Sequence, residues 1–229
     1  LGPALQCVYW PGMNTDGYLR RFVDLEYRLP PTDRDVFCKY LLGASGLATF
    51  FDERSSGGRE QELALDVLTG MGEVLDLGLR DMEHAIRRFA IVCRTLNKRV
   101  SCAPYTAFLV CLLIHDKDLY ADYVAGRSDS ATVLEAMESI PNGRHFVRSD
   151  AGMLVKAFLQ MADHKKETKA LLDDYAAQSE DQKWNAADRE HAAAMVSAIE
   201  MDSRHSSCIS LRELRDYVCD KIDMAEHFA

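Results

Sequence analysis

From Phe108 to Ile114 every residue is apolar (FLVCLLI). A membrane helix needs about 20 such residues, so this run of seven has to be buried by the chain itself, as a helix or a strand. Pro104, just upstream, suits the first turn of a helix, where a missing N–H leaves no partner unmet. The helical reading therefore leads, and the rest of the chain has to supply partners for it.

Those partners read as further helices. After Pro30 and Pro31, Thr32 with Asp35 resembles a capping box, and Val36, Phe37, Tyr40 and Leu41 share one face of a helix that Gly43 stops. Residues 43–58 read as a loop with Ser55, Ser56, Gly57 and Gly58 at its tip. A helix from about Glu60 carries Leu63, Val67, Met71 and Val74. The next starts near Leu79, with Met82, Ala85, Ile86, Phe89, Val92, Cys93 and Leu96 as its apolar stripe. Ser130 opens a helix with Val133, Leu134, Met137 and Ile140, stopped by Pro141. Asp150 is placed to cap one carrying Met153, Leu154, Ala157, Phe158 and Met161. The charge-rich stretch His164 to Lys183 reads as a surface segment or linker, and Asn185 as the cap of the next helix. Ser210 and Glu213 form a capping box for a last amphipathic helix with Leu211, Leu214, Val218, Ile222 and Ala225. The expected fold is mainly α: a bundle of roughly eight helices with one short N-terminal strand. No solenoid repeat is visible.

That strand is the exception to the helical pattern. Val23, Leu25, Tyr27 and Leu29 alternate with Asp24, Glu26 and Arg28, a period of two that ends at Pro30. A lone strand leaves its backbone groups unpaired, so its neighbours are expected in sequence outside this chain. The chain begins at Leu1 rather than Met, which agrees with that expectation.

The formal net charge of −9 argues against broad nucleic-acid binding, because phosphates are repelled overall. The seven cysteines are scattered, with no C-x-x-C pair, which fits a reducing, cytoplasmic setting rather than a disulfide framework. No leader or transit segment is read in it. His205 and Cys208, with Cys219 and His227 later, have spacing suited to metal ligands. A surface histidine and a buried thiol explain them as well, and no metal site is assigned.

A phosphate-gripping loop needs G-x-x-x-x-G-K-[ST] between strand and helix, and the chain contains neither that string nor G-x-G-x-x-G. No catalytic residue is assigned. Read as a strand, Phe108 to Asp116 imitates a Walker B segment, whose acid holds magnesium; Pro104 and the missing loop favour a buried helix instead. The helix from Leu79 carries Arg80, Arg87 and Arg94 at intervals of seven, with Lys98 one turn on. Arg87, Arg94 and Lys98 read either as an anion-facing stripe or as the solvated face of an amphipathic helix.

Two segments carry a family resemblance. YLRRFVDLEYRLPP, from Tyr18 to Pro31, resembles the segment that closes the catalytic core in the KAP family of P-loop NTPases. There Y-L-x-K/R-F/I-[IV]-D leads into a last core strand ending in L-P-P. LDLGLRDMEHAIRRFAIVCRTL, residues 75–96, resembles the family's L-[ST]-x-R-[DE]-[IVL]-E helix, with Gly78 where a small hydroxyl residue is usual. HDKDLYADYVAG, from His115, resembles a third signature. The likeness spans residues 5 to 135.

The resemblance implies three parts: residues 1–31 as a remnant of the NTPase core, 32–162 as a helical lid-like region, and 163–229 as a C-terminal helical extension. It implies that Arg80, at the start of a lid helix, senses a bound nucleotide. ATP and magnesium are then expected in the parent protein and no cofactor in this piece, which alone hydrolyses nothing. The implied partner is the missing NTPase core, and the implied setting is bacterial, related to phage defence or exclusion. The alternative is a stand-alone α-helical interaction module with no nucleotide role, associating with itself or a partner through Ser210 to Phe228.

Overall fold

The computed structural model describes residues 33–53, 57–97, 100, 102–163, 168–186, 188–190, 192–193, 195–196 and 213–226. Among them all regular structure is helical, in eleven delimited helices. These are α1 (Arg34–Ala44), α2 (Ala48–Asp52), α3 (Gly57–Val74), α4 (Leu79–Thr95), α5 (Ala103–His115), α6 (Lys117–Val124), α7 (Ser130–Ser139), α8 (Gly143–Val147), α9 (Asp150–Ala162), α10 (Thr168–Glu180) and α11 (Leu214–Glu226). Residues 186–196 are helical wherever they are described. The mainly α bundle expected from the sequence is the fold. The expected strand, Val23 to Leu29, lies outside the described residues.

The apolar run is a helix at the centre of the described bundle. In α5 every residue from Ala103 to Leu113 is buried, and α3, α4, α6, α9 and α11 all pack around it. A helix apolar on all sides is stable in water only when surrounded in this way. Pro104 sits in its first turn, as expected. The buried carboxylate of Glu60, on α3, reaches that same end and accepts the Ala103 N–H at 3.0 Å. Asp116 ends α5 and starts α6, its side chain accepting the Leu119 N–H at 2.9 Å. The acid that imitates a Walker B aspartate is thus a helix cap.

The bundle adds helices beyond those expected and moves two starts. Residues 43–58, expected as a loop, contain α2, whose Phe51 is buried in the core. Asp33, not Thr32, caps α1, accepting the N–H of Asp35 and of Val36. Along α1 the buried residues are Cys38 and Leu42, while Val36 and Tyr40 are 61% and 70% exposed. The buried face is therefore rotated by part of a turn from the expected one. Ser149 rather than Asp150 caps α9, accepting the Gly152 N–H at 3.2 Å. Asn185 caps as expected, accepting the Asp188 N–H at 2.9 Å. In α11, Leu214, Val218, Ile222 and Ala225 are buried against the same core. Ser210 and Phe228, the expected ends of that helix, lie outside the described residues. No helix among the described residues is long and apolar enough to cross a membrane.

Candidate functional site

Four residues, Leu75 to Gly78, separate α3 from α4, and they fix where Arg80 stands. Asp76 holds a positive φ of 46°, a left-handed conformation often found just beyond a helix end. The Leu77 N–H then donates back to the Gly72 carbonyl at 3.0 Å. Arg34, on α1, donates to the same carbonyl and to Asp76 Oδ1, the latter at 3.0 Å. Leu75 and Leu77 are buried, so the turn is pinned from both sides.

Gly78 caps α4 in an extended conformation, without a side-chain hydrogen bond. Leu79 begins the helix, so the departure at Gly78 leaves the start intact. The first-turn amides meet no capping side chain, and a helix N-terminus in that state favours an anion. Arg80 is exposed in this turn. Its guanidinium has no hydrogen-bond or ion-pair partner among the described residues.

The other members of the stripe are placed differently. Met82, Ala85, Ile86, Phe89, Val92 and Cys93 are buried, as the apolar stripe requires, and Ala90 joins them. Arg87 is exposed and pairs with Glu83 one turn earlier, at 2.5 Å. Arg94 donates to the backbone carbonyl of Ser45, at the end of α1, and so ties α4 to the turn before α2. Lys98 lies outside the described residues. Of the stripe's arginines at 80, 87 and 94, Arg80 alone makes no such tie among the described residues.

A cleft of about 190 Å³ opens beside the same turn, lined by Asp81, His84, Arg88, Leu113, Ile114 and Lys117. Asp81, His84 and Arg88 follow one another at spacings of three and four along α4, so they share one face. Leu113 and Ile114 come from the end of α5, and Lys117 from the first residue of α6. The sequence pattern did not single out His84 or Lys117, and Arg88 lies beside the stripe of Arg87 and Arg94 without belonging to it. The spacing on α4 could have shown His84 and Arg88. The approach of Lys117 could not be seen, because it depends on the corner at Asp116.

Elsewhere several buried polar groups pair with other elements of the bundle. Tyr105 and Tyr123 share a hydrogen bond of 2.8 Å, and the Arg215 guanidinium sits 5.7 Å from the Tyr123 ring. Tyr120 donates to Asp223 at 3.0 Å, and Tyr217 accepts the Asn97 N–H at 2.8 Å. The first bond joins α5 to α6, and the contacts of Arg215, Asp223 and Tyr217 hold α11 to the core. Burial pushes the Cys111 and Cys219 thiols up to about 12, so both are inert as nucleophiles. Among the described residues no group of three His, Cys, Asp or Glu side chains is placed to hold a metal ion. No family model, curated protein or solved structure matches the chain.

Proposed function

We propose that this chain is the helical lid and sensor region of a KAP-type P-loop ATPase, with Arg80 as the residue that meets the nucleotide. One observation carries the reading. The segment that resembles the family's L-[ST]-x-R-[DE]-[IVL]-E signature starts a helix at Leu79, and this sets Arg80 in an uncapped first turn, exposed and without a partner among the described residues. A guanidinium is planar, permanently charged and able to bind an oxyanion through two donors. The open amides of the turn add to its pull on a phosphate.

The residues of this turn therefore fit the phosphate end of a nucleotide. ATP and magnesium would be held by the missing core, which supplies the hydrolytic chemistry. The chain's own part is to place a cation and to move with it. Arg80 is linked to the bundle by the pinned turn at Leu75 to Gly78 and by α4, whose apolar stripe is buried in the core. A pull on Arg80 is thus transmitted to the bundle as a rigid body, as in hinge closure. The bacterial, phage-related setting follows from the resemblance alone and belongs to the same proposal.

The test is Arg80→Ala in the full-length protein. ATP turnover should fall by about 10³-fold if the arginine stabilises the transferred phosphoryl group, while the helical signal of the protein is unchanged. Turnover equal to the unsubstituted protein sinks the assignment.

A second reading, an interaction module without a nucleotide role, draws on Val36 and Tyr40. They stand one turn apart on α1 and are 61% and 70% exposed. A partner that covers them would be lost on a Val36→Ser, Tyr40→Ser double change, while Arg80→Ala would leave its binding unchanged.

A further inference from the structure

The cleft beside α4 has a composition that the surface chemistry of the chain does not explain. The protein carries a formal charge of −9, yet this cleft gathers Arg88, Lys117 and His84 around one acid, Asp81. Counting Arg88 and Lys117 against Asp81, with His84 neutral, the lining is net positive in a net negative molecule. Its floor is apolar: Leu113 is buried and Ile114 half-buried. A low-dielectric floor strengthens each charge above it.

His84 and Arg88 come from α4 and Lys117 from α6, which the corner at Asp116 joins to α5, so two separate helices supply the basic lining. Arg88 is half-buried and reaches the cleft from two turns along α4. Lys117 stands at the first position of α6, near the positive end of that helix dipole. The cleft's volume of about 190 Å³ exceeds the ~150 Å³ of an engineered cavity that admits benzene. There is room for an anionic group with a small carbon skeleton attached.

We propose that this cleft binds a small organic phosphate, with its oxyanion between Arg88, Lys117 and His84 and its carbon skeleton on Leu113 and Ile114. Asp81 adds selectivity. An ionised carboxylate only accepts hydrogen bonds, so it favours a ligand with a hydroxyl next to the phosphate and repels a bare polyanion. The inference stands apart from the nucleotide reading of Arg80, which does not line the cleft.

The experiment is a titration of the full chain followed by calorimetry and by NMR of the Leu and Ile methyl groups. The probes are glycerol 3-phosphate, inorganic phosphate and acetate. Glycerol 3-phosphate should bind saturably and shift Leu113 and Ile114, with inorganic phosphate weaker and acetate weaker still. Arg88→Met and Lys117→Met keep the apolar stems, and each should weaken binding about tenfold or more, the value of a charged hydrogen bond. Lys39→Met, on α1, should change nothing. Circular dichroism on each variant separates lost binding from lost structure. The proposal is overturned if no probe shifts Leu113 or Ile114, if both Met variants bind like the parent while folded, or if acetate binds as well as glycerol 3-phosphate.

Discussion

A single glutamate shows how much one side chain can decide here. Glu60 is only 3% exposed, and its Oε1 accepts the N–H of Ala103, the first residue of the central helix. Carboxylates are rarely so buried unless paired, and here the partner is a helix N-terminus, where negative charge is favoured. Glu60→Ala should lower unfolding stability by about 1–3 kcal/mol, because it leaves a buried donor unmet. Glu60→Gln, which keeps an acceptor, should lose less. Urea midpoints of the two variants check this; equal losses would mean that the hydrogen bond is not what matters. Nothing in the local pattern warns of the contact. Glu60 reads as an ordinary first-turn acid of α3, and its bond to Ala103 spans 43 positions. Arg80 is the opposite case: its place in a first turn was readable from the spacing after Gly78, because helix starts are local.

Among the elements, those with a strong period were legible and those packed at close range were not. The stripe of α4 and the burial of α5 follow from sequence because each helix offers the core one consistent face or none but apolar ones. The short helices α2 and α8 have too few residues to show a period. α8 and α9 also meet at contact distance. A Cβ on Gly152 would lie 1.9 Å from the Phe146 carbonyl oxygen and 2.8 Å from the Val147 Cα. Backbone atoms cannot give way as a side-chain tip does. Gly152→Ala should therefore destabilise the protein by about 1–3 kcal/mol, the range for overpacking, although alanine is the better helix former. Thermal unfolding decides it: a variant as stable as the parent would mean that α8 shifts freely on α9. The exposed pair Val36 and Tyr40 marks another limit. Periodicity said that α1 has an apolar face, but it did not say which apolar residues turn to the core.

At the scale of the whole molecule, the buried acids of α5, α6 and α11 set a behaviour in alkali. The Cys111 and Cys219 thiols rise from 9.0 to about 12, chiefly through burial. Burial, with nearby Cys219 and Asp223, also raises Tyr120 well above its ordinary 10.0, and Tyr105 and Tyr123 rise for the same first cause. In each case the folded state holds its proton more tightly than the unfolded chain. The stabilisation is therefore complete below the unfolded values, about 9 for the thiols and about 10 for the tyrosines. It is lost progressively as pH rises above them. Urea midpoints should hold steady up to about pH 8.5 and fall steeply between about pH 9 and 12, with thiol reagents reaching Cys111 and Cys219 only on unfolding. Rapid labelling of both in the native protein at about pH 8 would contradict this. The core that produces this behaviour was legible in outline, since α5 announced itself. The tyrosine bonds that bind α11 to it were not, because Tyr120 and Asp223 are separated by 103 positions.

Asp116 belongs at once to the end of α5 and to the beginning of α6. Two rods joined through one residue have no slack between them, so their rotational phases are locked. A residue added at this joint would turn α6 by about 100° about its axis and swing Tyr120 and Tyr123 off their anchors. The same change would carry Lys117 away from Arg88. The corner therefore acts as a gauge that keeps the interior and the surface cleft in step.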